Sequence, residues 1–293
     1  MARFNGVVLA AVLLSACSGN PFAPPGDDGG TPTTPTALIP ANVTKDMVSA
    51  NLAEWTTGNP TLRLRMTAQD ATALNADYLR DASLDVGPYQ AYTYQSSTSN
   101  RKVVALVNGT ANLKATIAVE AGQFADYHTG AQAWRADVYT LPASGVGATF
   151  DYSGTYAGLL NIGDMTAGGP GGSLNPTQSY RTTGRTLITA DFTEMTVSGG
   201  VDQRKIVETD EALVDIALGK TGITATGTFA GDVYRGESED WIKAGDYAGA
   251  FGGLNASEVA VLLIFNPTSN SKLFEQGIIL LPSCTSGGGP ACP

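Results

Sequence analysis

The apolar residues of this chain recur at every second position wherever their spacing can be followed, which is the period of a β-strand. The pattern is clearest over residues 61–67 and 113–120. The apolar positions are Leu62, Leu64 and Met66 in the first stretch and Leu113, Ala115, Ile117 and Val119 in the second, where Lys114, Thr116 and Glu120 form the polar face. Val103 to Val107 adds a short strand, whereas residues 70–82 fit a strand or a helix. An all-β fold is therefore predicted.

Glycine lies beside aromatic residues on one face of the strands in the second half. In YSGTYAGLL that face carries Tyr152, Gly154, Tyr156, Gly158 and Leu160. GITATGTFAGDVY is interpreted the same way, with Ile223, Ala225, Gly227 and Phe229 opposite Thr224, Thr226 and Thr228. Glycine permits the tight bends of a closed barrel, and a neighbouring ring covers the gap it leaves. We therefore predict that Tyr156, Phe229 and Phe251 point into a barrel and that the threonines point outward.

Two turns are also predicted from the sequence. TLITADFTEMTVSGGVDQR indicates a hairpin that turns near Thr193 and Glu194. The glycines of AGAFGGLNASEVA suggest a phosphate-binding loop, but such a loop needs a Lys and a Ser or Thr after its last glycine. Gly253 is followed by Leu254 and Asn255, so this segment is interpreted as a strand, a turn and a strand.

These motifs together resemble the β-barrel domain of the transferrin-binding protein B family of surface lipoproteins, which includes barrels of the factor H-binding protein type. The resemblance covers residues 146–283. Its most specific piece contains Phe251, Gly252, Gly253, Asn255 and Glu258. The resemblance implies a C-terminal eight-stranded antiparallel β-barrel over residues 146–283, preceded by a smaller β-rich handle-like domain over residues 41–145, on an outer-membrane lipoprotein.

The N-terminus has the features of a secretory signal peptide over residues 1–16. Arg3 precedes an apolar stretch that ends at Leu14. This stretch is far shorter than the roughly 20 apolar residues of a membrane-spanning helix. The small residues before Cys17 resemble a bacterial lipobox, which implies lipid attachment at Cys17, and Ser18 favours sorting to the outer membrane. Residues 17–40 are rich in Pro, Gly and Thr, which predicts a flexible linker.

Charge and cysteine usage narrow the range of partners. Cleavage before Cys17 removes Arg3 and leaves 16 Lys and Arg against 27 Asp and Glu, a formal charge of −11. Nucleic acid is therefore a poor partner, since its phosphates require clustered basic residues.

Cys284 and Cys292 flank a glycine-rich segment, and an oxidising compartment predicts a disulfide that closes the tail over residues 284–293. A metal pair is the weaker alternative, because no histidine lies nearby.

Catalytic signatures are scarce in this sequence. His128 is the single histidine, so no Ser-His-Asp set is assembled with confidence, and no HExxH motif is present. A surface-loop position is the preferred interpretation of His128. Glu237, Glu239 and Asp240 form the densest acidic cluster, which we interpret as a solvated turn before Trp241 rather than as a glycosidase pair or a calcium site.

We expect a non-enzymatic binding module of the outer membrane that faces the cell surface and needs no metal or cofactor. A protein or an iron carrier is the expected class of ligand, and the chain is expected to be a monomer. An envelope structural protein without a specific ligand is the first alternative, and a carboxylate-dependent enzyme is a weaker one. A barrel inserted in the membrane would show the same period of two. The lipid anchor and the lack of paired aromatic girdles favour a water-soluble barrel.

Overall fold

The structure is a computed structural model in which residues 38–67, 73–95, 102–120, 128–143, 145, 148–162, 174, 178–237, 240–269 and 273–284 are described. The predicted signal peptide, the predicted lipidation site Cys17, most of the predicted linker and Cys292 lie outside these residues. Among the described residues, no helix has the length and the apolar content needed to cross a membrane.

Seven antiparallel strands form the first sheet, which we call the handle sheet. It follows a one-turn helix, α1 (Ala41–Thr44). Its strands, in chain order, are β1 (Met47–Ala50), β2 (Thr61–Thr67), β3 (Ala73–Arg80), β4 (Gln90–Gln95), β5 (Lys102–Gly109), β6 (Leu113–Glu120) and β7 (Thr129–Arg135). A bridge between Lys45 and Gly130 brings the start of the sheet beside β7, so the sheet is nearly closed. Within the segment 70–82, which fits a strand or a helix from its sequence, residues 73–80 form the strand β3.

Eight antiparallel strands form a closed barrel in the second half of the chain. They are β8 (Thr149–Ile162), β9 (Tyr180–Asp191), β10 (Thr196–Ile206), β11 (Ile216–Gly222), β12 (Thr228–Glu237), β13 (Asp240–Gly252), β14 (Glu258–Phe265) and β15 (Leu273–Pro282). Each strand pairs with the next, and β15 pairs with β8 to close the barrel. The predicted fold class is confirmed: the chain is all-β, with an eight-stranded barrel preceded by a smaller sheet.

Aromatic side chains fill the barrel interior as predicted. Tyr156 and Phe251 are fully buried and Phe229 is 4% exposed, and the rings of Phe229 and Phe251 lie 5.1 Å apart. Two threonines outside the segments used for the prediction, Thr182 and Thr186, are buried in the barrel. Thr182 donates a hydrogen bond to Glu275, and Thr186 donates one to the carbonyl of Gly200. A threonine can therefore point inward where an acceptor is within reach.

The prediction that GITATGTFAGDVY forms one strand is wrong, because β11 ends at Gly222 and β12 begins at Thr228. Gly227 has a φ of +70°, which glycine adopts without strain. The hydroxyl of Thr224 accepts a hydrogen bond from the amide of Thr228 and pairs with the hydroxyl of Thr226. Threonine hydroxyls thus satisfy the turn locally, and their regular spacing imitates the period of a strand.

The other two predicted connections are confirmed. Residues 192–195 form the turn between β9 and β10, where the predicted Thr193 and Glu194 lie. The AGAFGGLNASEVA segment contains the end of β13, a short 3₁₀ turn over Leu254–Ala256 and the start of β14. It is therefore a strand, a turn and a strand.

The polar face predicted for β6 is not exposed, because β6 is covered on both sides. One side faces the handle interior, where the Lys114 ammonium donates to the carbonyl of Trp55 at 2.6 Å and lies 4.9 Å from the centre of the Trp134 ring. The other side packs on the barrel. We call the strands of the barrel that face the handle sheet, β8, β13, β14 and β15, the covered wall. The interface between this wall and the handle sheet is the seam. The barrel residues buried in the seam are Ala157, Leu159, Ala248, Ala260, Leu262, Phe274, Ile278 and Leu280.

Candidate functional site

The remaining strands, β9 to β12, form what we call the open wall of the barrel, and a groove of about 400 Å³ lies on its outer surface. Strand register explains its shape. Leu187 of β9 pairs with Gly200 of β10, which pairs with Ala217 of β11, so the three residues form one row across the strands. Gly200 and Ala217 leave the floor of the groove close to the backbone. Leu187 remains 44% exposed beside them.

Trp241 lines the same groove from the hairpin that joins β12 and β13. It pairs with Gly236 in the ladder, and its side chain is 54% exposed. The amide of Gly236 donates a hydrogen bond to the carbonyl of Asp215 at 3.0 Å, which ties the hairpin to the segment that leads into β11. A large exposed tryptophan is therefore held beside an apolar floor and an acidic residue.

A second row, two residues further along each strand, is charged. Arg185 of β9 pairs with Asp202 of β10 through two hydrogen bonds of 3.0 and 2.6 Å. The Arg185 guanidinium lowers the pKa of the Asp202 carboxyl from its ordinary value. Asp215 continues this row next to β11 and has no ion-pair partner among the described residues. The row therefore has one uncompensated negative charge.

The acidity of the chain is concentrated in the barrel. Residues 146–283 contain 8 basic and 16 acidic residues, whereas residues 41–145 contain 8 basic and 9 acidic ones. The formal charge is therefore −8 for the barrel and −1 for the handle. The described residues that line the groove include hydroxyls, carboxylates and Arg185, but no histidine, cysteine or lysine. The lining therefore combines an apolar floor with a small number of polar and charged groups.

The predicted motif residues form a joint between the two sheets and lie away from the groove. Phe251 is part of the barrel core, and a side chain at Gly252 would collide with Leu113 of β6. Gly253 and Asn255 shape the turn, with φ of 72° and 53°. Glu258 accepts hydrogen bonds from Thr110 and from Asn112 in the turn between β5 and β6, the second at 3.0 Å. The motif thus holds the handle sheet on the barrel.

A buried ion pair crosses the barrel interior, and sequence reasoning missed it. The Arg204 guanidinium lies 2.5 Å from the Glu275 carboxylate, and both side chains are fully buried. Tyr156 and Thr182 each donate a hydrogen bond of 2.6 Å to the same carboxylate. Burial disfavours the charge on Arg204, but the contacts with Glu275 and Tyr156 together outweigh burial, and the pKa of Arg204 is raised. The one available signal was a glutamate inside the apolar run LFEQGIILL.

The candidate catalytic residues are not brought together. His128 lies just before β7, its side chain 18% exposed, with Nδ1 3.3 Å from the carboxylate of Asp46. It is therefore more buried than a surface-loop residue. Asp240 begins β13 and is exposed, whereas Glu239 lies outside the described residues. Across the part of the chain that the structure describes, no three His, Cys, Asp or Glu side chains are grouped to hold a metal ion.

Cys284 is the last described residue, and its amide donates to the carbonyl of Asp151 at 2.8 Å. Its predicted disulfide partner, Cys292, lies outside the described residues, as does Cys17. The disulfide and the lipid on Cys17 therefore remain predictions.

Comparisons with known proteins find likeness among solved structures alone. No family model matches the chain, and no curated protein matches it. A double mutant of the vaccine antigen transferrin-binding protein B from Haemophilus parasuis Hp5 is 11% identical, with a TM-score of 0.41 over 76% of this chain and 51% of that one. The intact Ap-TbpB (N and C lobes) is 13% identical, with a TM-score of 0.41 over 76% and 52%. The isotype 1 protein from serogroup B Neisseria meningitidis is 14% identical, with a TM-score of 0.41 over 75% and 39%. The chain thus spans about half or less of these proteins, which bear the name of the family that its sequence resembles.

Proposed function

We propose that this chain is a non-enzymatic binding module, carried on the outer membrane by a lipid on Cys17, and that it binds its partner through the groove of the open wall. The observation that carries this proposal is the exposed Trp241 beside the apolar row of Leu187, Gly200 and Ala217. Exposed apolar surface with a polar rim marks interaction sites, and tryptophan is among the residues that dominate binding energy at protein interfaces.

A protein partner suits the groove better than a small iron carrier. Small ligands lose roughly 70 to 90% of their surface in a concave pocket. Here Trp241 and Leu187 remain about half exposed, and the floor lies on the outer surface of a barrel wall. A convex partner surface would cover both side chains at once, whereas a small molecule would stay largely in water. We therefore propose a protein as the partner.

Site-specific photo-cross-linking tests the proposal on the full-length lipoprotein. A photoreactive residue replaces Ile242, which follows the groove residue Trp241 in the chain and is 39% exposed, or Leu254, which is 60% exposed in the turn between β13 and β14. We expect a discrete cross-linked protein from position 242 and none from position 254. Equal cross-linking from both positions would contradict a localised site, and none from either would favour a structural envelope role.

The cross-linked protein, once purified, then gives a quantitative test. We expect Trp241→Ala to weaken its affinity by about 30-fold, as for a tryptophan worth about 2 kcal/mol at an interface. Leu254→Ala is the matched control, since it also removes an exposed apolar side chain, and it should leave the affinity unchanged. An unchanged affinity in Trp241→Ala would reject the groove as the binding site.

The anchor is tested separately with Cys17→Ala. Lipid attachment requires this thiol, so the variant should accumulate as uncleaved precursor and lose labelling by a fatty-acid analogue. Cys284→Ala is the control and should keep the label. Persistent labelling of Cys17→Ala would show that the anchor lies elsewhere.

A further inference from the structure

We infer that the groove of the open wall binds an extended, cationic segment of the partner, in which a large apolar side chain is followed two positions later by Lys or Arg. This inference rests on the proposed function and specifies the chemistry that the groove recognises. It is drawn from the two parallel rows of the groove and from the charge of the barrel.

The apolar row provides a binding position for one large side chain of the partner. Gly200 and Ala217 have little or no side chain, so the floor between Leu187 and Trp241 lies low. The hydroxyl of Ser153 of β8 continues the row, because Ser153 pairs with Leu187. An apolar side chain placed on this floor would bury the exposed faces of Leu187 and Trp241 together, which is favourable in proportion to the apolar area removed from water.

The charged row lies at a fixed distance from the apolar row. Arg185 of β9 and Asp202 of β10 each lie two positions from a residue of the apolar row, and Asp215 lies two positions before Ala217, immediately ahead of β11. Two residues of a strand span about 6.8 Å. Side chains at positions i and i+2 of an extended partner point to the same side with the same spacing. A segment that lies along the strands therefore presents its i residue to the apolar row and its i+2 residue to the charged row.

Charge complementarity makes the second partner residue basic. Asp202 is already paired with Arg185, whereas Asp215 is exposed and has no ion-pair partner among the described residues. Asp215 is next to Trp241, whose ring can also receive a guanidinium or ammonium by cation–π attraction. Partial removal of water by a bound segment strengthens both interactions. The barrel charge of −8 adds long-range attraction for a cationic segment.

A second copy of this chain is a poorer occupant for the same reason. Its barrel has the same charge of −8, so two open walls would repel each other. A partner protein with a basic segment meets no such repulsion. We therefore assign the groove to a different protein.

The probes for the test are immobilised twelve-residue peptides, each with one Leu and one Arg in a Gly-Ser background. The spacing between Leu and Arg runs from i+1 to i+4, and control peptides replace Arg by Glu or Leu by Ser. Binding of the full-length lipoprotein in nanodiscs is measured on each. We expect the i+2 peptide to bind best and each control peptide to bind at least about tenfold more weakly. Equal binding at all four spacings, or binding of the Glu peptide, would overturn the inference.

Three protein variants locate the binding on the two rows. Asp215→Asn should weaken the i+2 peptide about five- to tenfold and flatten the dependence on salt, because it removes one close charge. Ala217→Leu fills the floor without changing the charge and should abolish binding. Glu194→Gln removes another exposed carboxylate, from the turn between β9 and β10, and it should leave the affinity unchanged. If Asp215→Asn and Glu194→Gln behave alike, the inference fails.

The cross-linked partner separates this inference from the proposed function. If its affinity depends on Trp241 but not on Asp215 or on salt, the proposed function stands and the cationic segment is wrong. If neither residue matters, both are wrong. Concentration-dependent dimerisation that Ala217→Leu abolishes would identify a second copy as the occupant and would also overturn the inference.

Discussion

The covered wall and the open wall belong to the same closed barrel, yet their outer faces differ in what they bury. On the covered wall, outward residues such as Leu262, Ile278 and Leu280 are at most 5% exposed, because the handle sheet packs on them. On the open wall, Leu187 is 44% exposed and charged residues lie beside it. The barrel therefore buries one apolar outer face against the handle sheet of the same chain and leaves a smaller apolar strip on the open wall exposed to solvent.

The difference also shows how a binding surface can coexist with a stable fold. Apolar area that is buried in the seam contributes to folding, whereas the strip on the open wall contributes little until a partner covers it. Substitutions on the open wall should therefore change binding with little change in stability, and those on the covered wall should do the reverse.

The largest loss of stability is expected at the ion pair that joins the two walls through the barrel interior. Arg204 belongs to the open wall and Glu275 to the covered wall, and they form a fully buried ion pair. Arg204→Met leaves the Glu275 carboxylate without its cation and should lower the free energy of unfolding by about 3 to 5 kcal/mol in chemical denaturation. Arg204→Met combined with Glu275→Gln removes the stranded charge and should recover part of the loss. No recovery in the double variant would mean that packing, rather than charge, dominates.

A matched pair of substitutions compares the two outer faces directly. Ile278→Ala on the covered wall should cost about 2 to 5 kcal/mol, because it leaves a cavity in the seam. Leu187→Ala on the open wall should stay within about 0.5 kcal/mol, as for a surface position. Thermal and denaturant unfolding of both variants measure this. A similar cost at the two positions would contradict the distinction between a covered and an open wall.

A substitution at the joint between the handle sheet and the covered wall should cause a smaller loss of stability. Glu258→Ala removes the acceptor of the hydrogen bonds from Thr110 and Asn112, which should cost about 1 to 3 kcal/mol. Glu194→Ala removes an exposed carboxylate at the turn between β9 and β10 and is the control. Hydrogen exchange should show faster exchange in the turn between β5 and β6 for Glu258→Ala alone. Unchanged exchange there would show that Glu258 does not hold the joint.

The smallest effect concerns the charged row of the open wall. Arg185 lowers the pKa of Asp202 below its ordinary value of 3.8. Because the folded pKa is depressed, the associated stabilisation is present above the ordinary pKa and is lost as the pH falls through the folded pKa. Both side chains are exposed, so solvent screens the effect. An NMR titration of the carboxyl groups should show the pKa of Asp202 rise in Arg185→Ala, while Asp77, paired with Arg63, stays unchanged. An unmoved Asp202 would contradict the pairing.

Sequence reasoning recovered the strands whose burial alternates and failed where burial had another cause. Leu62, Leu64 and Met66 alternate with exposed residues in β2, as the pattern predicts. In β6 the polar residues are buried as well, because a second sheet covers them and Lys114 finds carbonyl acceptors inside the handle. The error over GITATGTFAGDVY has a local cause, since the threonines of a turn imitate the spacing of a strand.

The groove could not be predicted from the sequence, although each of its residues is visible there. Leu187, Gly200, Ala217 and Trp241 are separated by up to 54 positions and meet through strand register and through the folding back of one hairpin. The motif that carries the most specific part of the family resemblance, around Phe251 and Glu258, lies at the joint between the sheets. The alternation of apolar and polar residues indicates which segments form strands, but it does not indicate which strands pair with each other.

The sequence by itself determined an all-β chain with a closed barrel in its second half, because the period of two and the spacing of glycine and aromatic residues are local properties. It also placed the turns between β9 and β10 and between β13 and β14, but not the turn between β11 and β12. The tertiary structure decided which half of the barrel wall is covered, where Arg204 meets Glu275, and where an apolar strip remains exposed beside Asp215. These features depend on contacts between residues far apart in the chain, and a period read along one strand is the same whether its outer face meets water or another sheet.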